Sequence, residues 1–390
     1  MKKWTKRIAV LLAAILVVGT MTVYAGEGAE AEKQTIKIAV NTCFSGTAAR
    51  GAELQFNGFQ VGLNEINESG YSQYYDFEVI VNDDQNDPTA AASVANKSVN
   101  EQKVQVVYGH LNAVQTLAGL AVYDEAGIPC LTPTTSSSVT NFGSDYLLQM
   151  GIADDATCKI IVDYLAGTLG LTNLAVMYSN NEQGYAALDT LKASLSEYGL
   201  SFACEEEYAM SDVDFSGQLL RIKDKACEAV LIWGGDPASR ANIIKQLHQT
   251  IDYDILIAGD TQFSTAGFLN SVESNEKDGI LCVGAWTPTM TDERSLKFIE
   301  EFKAIDSQGA NPSDVSARGY DSIYFLATAL NELGPVDISA DDFEEVLLEQ
   351  LKKTTIEGLQ GTIQYQEDGR CVSNAYICRI SPEGKLDVVQ

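Results

Sequence analysis

The sequence predicts an α/β protein with two similar lobes, each a mainly parallel sheet flanked by helices. Apolar, strand-like runs alternate with amphipathic helical runs along the chain, and this series starts a second time near residue 174. The 365 residues that remain after a 25-residue leader also exceed one ordinary hydrophobic core. With only eight prolines and no low-complexity linker, we expect several ordered strands to join the lobes.

The first series contains four strand-like runs separated by three helical runs. The run "AELQFNGFQVGLNEIN" carries its apolar residues mostly at helical spacing, and the Asp-Pro pair at positions 87 and 88 is a typical helix start. This β-α-β order implies a parallel sheet. The predicted strands are 36–42, 77–83, 104–109 and 128–132, and the predicted helices are 52–67, 87–101 and 114–127.

The second series repeats this organisation. "IKIAVNTCFSG" and "LAVMYSNNEQG" hold equivalent places, since each is a strand that ends in a polar, glycine-containing loop. The repeat indicates two lobes of similar topology. The predicted strands are 174–180, 202–208, 228–235, 254–260 and 280–286, and the predicted helices are 185–199, 216–226 and 238–249.

The end of the chain predicts two further helices, 318–334 and 341–353, and then a hairpin over 358–380 around the turn "EDG". Because these helices follow the second series, we expect the chain to cross back between the lobes. The first lobe is assigned residues 35–152 and 287–361, and the second lobe residues 153–286 and 362–390.

Residues 1–25 are typical of a secretory signal peptide. A basic start precedes the apolar stretch 8–18, and small residues at 23–25 favour cleavage after Ala25. The alternative is an uncleaved membrane anchor, but the apolar stretch is too short to span a bilayer comfortably. The junction has no cysteine for lipid attachment. We therefore expect a protein secreted across the cytoplasmic membrane into the periplasm or the cell exterior.

The charge of the chain excludes some partners. Removing the four basic residues of the leader leaves 22 Lys and Arg against 54 Asp and Glu, a net charge of −32. Such a surface repels nucleic acid and anionic lipid and keeps a protein soluble, so we expect no nucleic-acid partner and a monomer.

Eight cysteines and two histidines remain to be explained. Most of the cysteines lie in strand-like or helical contexts, which favours small buried hydrophobic residues over disulfides. Cys371 and Cys378 flank a short stretch and leave open a bridge across the predicted hairpin. Without a C-x-x-C motif or a histidine cluster, we expect no metal site, and no cofactor is predicted.

Polar loops follow the predicted strands of both lobes. In open α/β sheets, ligands bind beyond the carboxyl ends of the strands, so we expect a small-molecule cleft between these loops. The turn "PTTSSS" offers hydroxyl groups that either cap a helix or bind a ligand carboxylate. Asp236 and Asp260 are candidates to bind an ammonium group, with a helix N-cap before Pro237 as the alternative for Asp236.

These loops also carry a family resemblance. The chain resembles the extracellular solute-binding subunits of ABC transporters, of the leucine/isoleucine/valine-binding protein type. Seven segments in family order cover nearly all of the mature chain. They are "FSGTAARGAELQFNGFQVGLNEIN", "VNDDQNDPTAAASVANKSV", "VVYGHLNA", "AGIPCLTPTTSS", "SDVDFSGQLLRIK", "RGYDSIYFLATAL" and "GLQGTIQYQEDG".

The resemblance implies a Venus-flytrap fold, in which two Rossmann-like lobes close about a multi-strand hinge around the ligand. It implies that the carbonyl of Thr134 and the side chain of Ser136 bind the charged end of the ligand. Ser45 lies in a loop, 45–51, that would face the cleft from the same lobe. The second lobe would contribute Gln183, Asp236 and Asp260.

The chain departs from the family pattern at several of these positions. Ala113 stands where an amino-acid binder has a serine that holds the carboxylate. Arg50 lies where an aromatic residue is common and adds a candidate anion-binding group, with a surface arginine as the alternative. Gln183 replaces a tyrosine, and asparagines replace a disulfide pair of some relatives at positions 86 and 112. A branched-chain ligand therefore does not follow from the resemblance.

The function predicted from the sequence is the binding of an amino acid or a related small polar solute for delivery to a membrane permease. A sensory protein that presents its ligand to a membrane receptor or regulator is the alternative, because one fold hosts both uses. The sequence has no nucleophile elbow, phosphate loop or dinucleotide fingerprint, so we expect no enzyme. The acid pair Asp83 and Asp84 is interpreted as a solvated strand end or turn.

Overall fold

Two mainly parallel sheets organise the part of the chain that the computed structural model describes, which is residues 33–46, 48–372 and 374–389, without the side chains of residues 182 and 266. The predicted leader and its cleavage site lie outside these residues. The same holds for the junction at which the sequence has no cysteine for lipid attachment. Among the described residues, no helix is long and apolar enough to cross a membrane.

The first part of the chain forms a five-stranded parallel sheet. Its strands are β1 (Gln34–Thr42), β2 (Tyr75–Asp83), β3 (Val106–Gly109), β4 (Cys130–Thr132) and β5 (Leu147–Gln149). Between them lie α1 (Ala49–Ser69), α2 (Pro88–Lys97), α3 (Ala113–Ala126) and α4 (Ser137–Asn141). The order β2-β1-β3-β4-β5 places the ends of β1, β3 and β4 side by side. Asp87 caps α2 by accepting a hydrogen bond from Ala90 N, as the Asp-Pro pattern predicts.

The middle of the chain contributes five parallel strands to the second sheet. These are β6 (Leu174–Ser179), β7 (Cys204–Tyr208), β8 (Ala229–Trp233), β9 (Leu256–Gly259) and β10 (Leu281–Gly284). Its helices are α5 (Asp154–Val162), α6 (Glu182–Ser196), α7 (Ser216–Asp224), α8 (Pro237–Thr250), α9 (Ala266–Ser271) and α10 (Ser274–Lys277).

The last part of the chain contributes to both lobes. It contains α11 (Glu293–Ile305), α12 (Asp314–Leu333), α13 (Phe343–Leu351), β11 (Thr355–Gly358), β12 (Gly361–Gln364), β13 (Tyr376–Ile380) and β14 (Leu386–Val388). β13 and β14 are antiparallel and complete the second sheet in the order β14-β13-β10-β9-β8-β6-β7. The chain is thus a two-lobed α/β protein, as the sequence predicts.

The predicted hairpin over 358–380 is wrong in extent. β11 and β12 form their own hairpin, and around the "EDG" turn a single bridge joins Ile363 to Val372. β13 pairs with β10 of the second sheet instead. The alternation in the sequence therefore predicts a strand but does not identify the strand or the lobe with which it pairs.

Three chain segments connect the lobes, because neighbouring residues pack in different cores on either side of each connection. The first core contains Ile152, Ala285 and Val372, whereas Cys158, Val283 and Ile377 pack in a core of the second lobe. The sequence assigned residues 362–390 to the second lobe. In the structure Ile363 and Cys371 pack in the first core together with Val372, which favours a third connection after Val372.

Helices α1 and α12 pack with their backbones in contact. A Cβ atom on Gly58 would lie 1.9 Å from Ser316 O, and one on Gly319 would lie 2.3 Å from Gln55 O. Only glycine allows so close an approach, which fixes α12 against the first sheet's α1.

All eight cysteines of the described chain are buried as free thiols, so the bridge that the sequence left open between Cys371 and Cys378 does not form. Cys371 packs in the first core, whereas Cys378 packs in a core of the second lobe. The two residues are separated because the third connection between the lobes lies between them.

Candidate functional site

A cavity of about 760 Å³ lies between the strand-end loops of the two lobes. The first lobe contributes the turn after β4, the start of α3 and the start of α12, and the second lobe contributes the starts of α5 and α6 and the loops after β8 and β9. This volume is in the range of ordinary small-molecule sites. The predicted residues Ala113, Thr134, Ser136 and Gln183 line the cavity.

The hydroxyl turn both caps a helix and lines the cavity. Ser136 is the N-cap of α4, and its Oγ accepts a hydrogen bond from Ser138 N at 3.3 Å and lies 2.8 Å from Ser138 Oγ. The carbonyl of Ser136 accepts a hydrogen bond from Gln149 Nε2 at 3.1 Å, which ties the turn to β5. The structure confirms the cap, and ligand binding by the turn stays a prediction that is compatible with it, since a capping hydroxyl can still contact a ligand.

A buried polar network supports this side of the cavity. His110 Nδ1 lies 2.6 Å from Asp84 Oδ2, and its Nε2 lies 3.0 Å from the hydroxyl of Tyr123. The carbonyl of His110 accepts a hydrogen bond from Thr132 Oγ1 at 3.1 Å, so the loop after β3 is tied to the strand that precedes the hydroxyl turn. Asp84 is thus a buried structural residue, which corrects the reading of a solvated strand end.

Asp154 is a cavity residue that the sequence reasoning missed. It begins α5 and lines the cavity beside Gln183 and Thr135. Removal from water raises the pKa of its carboxyl to about 7, and the charge of Asp260 adds to this, whereas Thr135, Arg318 and Gln183 oppose it. Its only sequence signal was a pair of acids at a helix start, which is common in structural caps.

The charged side chains around Asp154 are already paired. Asp155 forms an ion pair with Arg370 at 2.5 Å, and Asp314 forms one with Arg318. Among the described residues that line the cavity, Asp154 is therefore the charged side chain without an ion pair. The cavity carries a net negative charge when Asp154 is ionised.

Four residues that the sequence proposed do not line the cavity. Arg50 forms ion pairs with Asp306 and Glu53 at 2.8 Å each. Ser45 lies exposed in the loop before α1, whereas Gly51, in the first turn of α1, lines the cavity. The structure thus gives Arg50 a role in holding α1 against the segment after α11.

The two proposed ammonium partners of the second lobe have other partners in the structure. Asp236 is the N-cap of α8 and accepts a hydrogen bond from Ser239 N at 2.7 Å, as the alternative reading predicts. Asp260 is almost fully buried and forms an ion pair with Arg240. The carboxylates of both residues are thus engaged within the second lobe.

Residues 35–385 match the sequence profile of the periplasmic binding protein family. The chain belongs to this family. The match spans both lobes and all three connections between them, so it covers every element that forms the cavity.

Two binding proteins of Pseudomonas aeruginosa are similar to this chain over most of their length. An amino acid binding protein of Pseudomonas aeruginosa is 25% identical over 338 residues, which cover 85% of this chain and 86% of that protein. The leucine-, isoleucine-, valine-, threonine-, and alanine-binding protein of the same organism is 24% identical over 373 residues, covering 95% and 94%.

A solved structure confirms the fold. The branched-chain amino acid transporter substrate binding protein LivJ from Streptococcus pneumoniae, in complex with isoleucine, superposes with a TM-score of 0.75 at 26% identity. The alignment covers 91% of this chain and 99% of that one. Periplasmic binding proteins form a family of solute-binding proteins, and the two-lobed fold with its central cavity is the one predicted from the sequence.

Proposed function

We propose that this periplasmic binding protein is the solute-binding subunit of an ABC importer and that its solute carries an amine, as amino acids do. The observation that carries the proposal is Asp154, an acid without an ion pair in the cavity between the lobes. Asp154 is partly buried, and a carboxylate partly removed from water is stabilised by an opposite charge within about 4–6 Å. The isoleucine complex of LivJ and the names of the two relatives support an amino acid or a related solute.

The arrangement binds and releases a solute without chemical change. The amine of the solute contacts Asp154, while the hydroxyl turn on the first lobe and Gln183 on the second lobe contact its polar groups. Because these groups lie on two lobes joined by three segments, binding favours the closed state, which is the form delivered to the membrane permease. Export from the cytoplasm, through the predicted leader, places the protein where such a permease receives solutes.

The test is the melting temperature of residues 26–390 against common amino acids, short amides, simple amines and carboxylates. A ligand at 100 times its dissociation constant adds about 2.7 kcal/mol to the free energy of unfolding, which shifts the melt visibly. We expect amine-bearing solutes to raise the melting temperature and Asp154→Asn to abolish the rise. Melts that shift only with solutes lacking an amine, or that shift with no solute, contradict the proposal.

A further inference from the structure

A second polar pair lines the cavity, on the first turns of α12. Asp314 and Arg318 each keep only 8% of their surface exposed. Arg318 Nη2 donates a hydrogen bond to Asp314 Oδ2, and Arg318 Nη1 donates one to Pro133 O at 2.9 Å. The pair is therefore held rigidly against the start of the hydroxyl turn.

Two atoms of this pair have no partner within the protein. These are Arg318 Nε, which is a donor, and Asp314 Oδ1, which is an acceptor. Both residues line the cavity, and buried polar atoms in folded proteins are almost always hydrogen-bonded, so a donor and an acceptor left without partners here indicate a group that binds to this pair.

We propose that Asp314 and Arg318 form a second subsite of the cleft and that it takes a primary carboxamide of the solute. The amide oxygen accepts the hydrogen bond from Arg318 Nε, and the amide N–H donates to Asp314 Oδ1. The proposal rests on the proposed solute-binding function and specifies the chemical class of the solute.

The charge of the subsite favours a carboxamide over a carboxylate. Asp314 already neutralises Arg318, so a carboxylate bound there brings a second negative charge next to Asp314. It also offers no hydrogen atom to Asp314 Oδ1. A carboxamide is neutral and supplies both the acceptor and the donor that the two unpartnered atoms require.

The subsite and Asp154 belong to one cavity. Both line it, and the charge of Arg318 lies close enough to Asp154 to favour its ionised form. One solute of amino-acid size therefore contacts both through an amine and a carboxamide, located either in its side chain or in place of the α-carboxylate.

The experiment compares solutes that differ only in the amide. L-Glutamine and L-glutamate, L-asparagine and L-aspartate, and L-leucinamide and L-leucine are titrated calorimetrically into the wild-type protein. We expect at least one carboxamide to bind at least tenfold more tightly than its matched carboxylate. A preference for the carboxylates, or no binding by any carboxamide, overturns the subsite. If amino acids without an amide still bind through Asp154, the proposed function stands alone.

Asp314→Asn tests the subsite through the preference for carboxamide over carboxylate, which would not change if Asp314 had only a structural role. The substitution removes the charge that neutralises Arg318, so the preference for carboxamide over carboxylate is expected to fall at least tenfold or to reverse. An unchanged ratio in a variant that melts normally overturns the proposal. Asp337→Asn, at an exposed loop position bonded to Ser339, is the matched control and should leave the ratio unchanged. If Asp314→Asn does not fold, the wild-type comparison decides the question.

Discussion

The carboxylate of Asp260 accepts two hydrogen bonds from the guanidinium of Arg240, at 2.5 and 2.8 Å, and both side chains are almost fully buried. Asp260 also accepts hydrogen bonds from the backbone N–H groups of Gly234 and Gln262. These contacts join the loops that follow β8 and β9, two strands whose ends face the cavity. The buried pair of Arg240 and Asp260 therefore holds in place the two loops that form this side of the cleft.

Asp260→Asn is expected to lower the free energy of unfolding by about 3–5 kcal/mol, because it leaves the buried charge of Arg240 without a partner. An Asp260 that binds the ammonium group, as the sequence predicts, would make the same change weaken amino acids more than their deaminated analogues. The structure predicts equal losses instead. Chemical denaturation and calorimetry with matched pairs of solutes measure the two effects, and a loss restricted to amines would restore Asp260 as a direct ligand contact.

Asp154→Asn is expected to remove a pH dependence of stability. The carboxyl has a pKa of about 7 in the folded protein and about 3.8 in the unfolded chain. Between these values the folded state binds more protons, so the free energy of unfolding falls as the pH rises from about 4 to about 7. Above pH 7, the free energy of unfolding of the ligand-free variant should therefore be higher than that of the wild type. The difference between the two pKa values limits this gain to at most about 4 kcal/mol.

The check is guanidinium chloride unfolding of both proteins at pH 4, 6 and 8. A constant difference across this range would show that Asp154 does not titrate there. In the wild type, amine-bearing solutes should bind more tightly as the pH rises through 7, because the ionised carboxylate is the form that binds an ammonium group.

Substitutions of Ser136 separate its capping role from ligand contact. Ser136→Ala should lower stability by about 1 kcal/mol through loss of the N-cap, whereas Ser136→Gly should cost only a few tenths of a kcal/mol. If the hydroxyl contacts the solute, both variants lose affinity equally, by about 1–3 kcal/mol for a bond to a charged group. Wild-type affinity in the glycine variant would assign Ser136 to capping alone.

Gly58→Ala tests the contact between α1 and α12. The new methyl group would lie 1.9 Å from Ser316 O, so the helices must separate, at a cost of about 1–3 kcal/mol or more. Gly217→Ala is the control, since its Cβ meets only the flexible end of Arg221 at 3.7 Å and should stabilise α7 by about 0.5–1 kcal/mol. Equal melting temperatures for the wild type and Gly58→Ala would contradict the packing.

Sequence periodicity identified most strands and long helices, because each buries one regular face. It missed short elements such as β5 and β14, whose three residues are too few to show a period. It also missed α11, a charged helix whose inward face is only Ser295, Phe298 and Phe302. In these cases pairing and packing with distant segments decide the structure, and local pattern carries little of that information.

The site was less predictable than the fold. The turn at 134–138 stood out because hydroxyl groups concentrate in it, but Asp154 and Arg318 looked like ordinary helix residues. Arg318 contributes to the cavity through a hydrogen bond to Pro133 O, 185 residues away along the chain. Asp236 and Asp260 were proposed because of their place after strands, yet side chains nearby in sequence engage both.

The three connections between the lobes also constrain when the protein can fold. The core around β1 includes residues of α12 and Val372, and the second sheet has its last strands at β13 and β14. A chain that stops before Asp314 lacks the helix that packs on α1 and two of the seven strands of the second sheet. Neither half is complete until nearly the whole polypeptide is available, so we expect that neither lobe of a nascent chain reaches its final packing before α12, β13 and β14 have been synthesised.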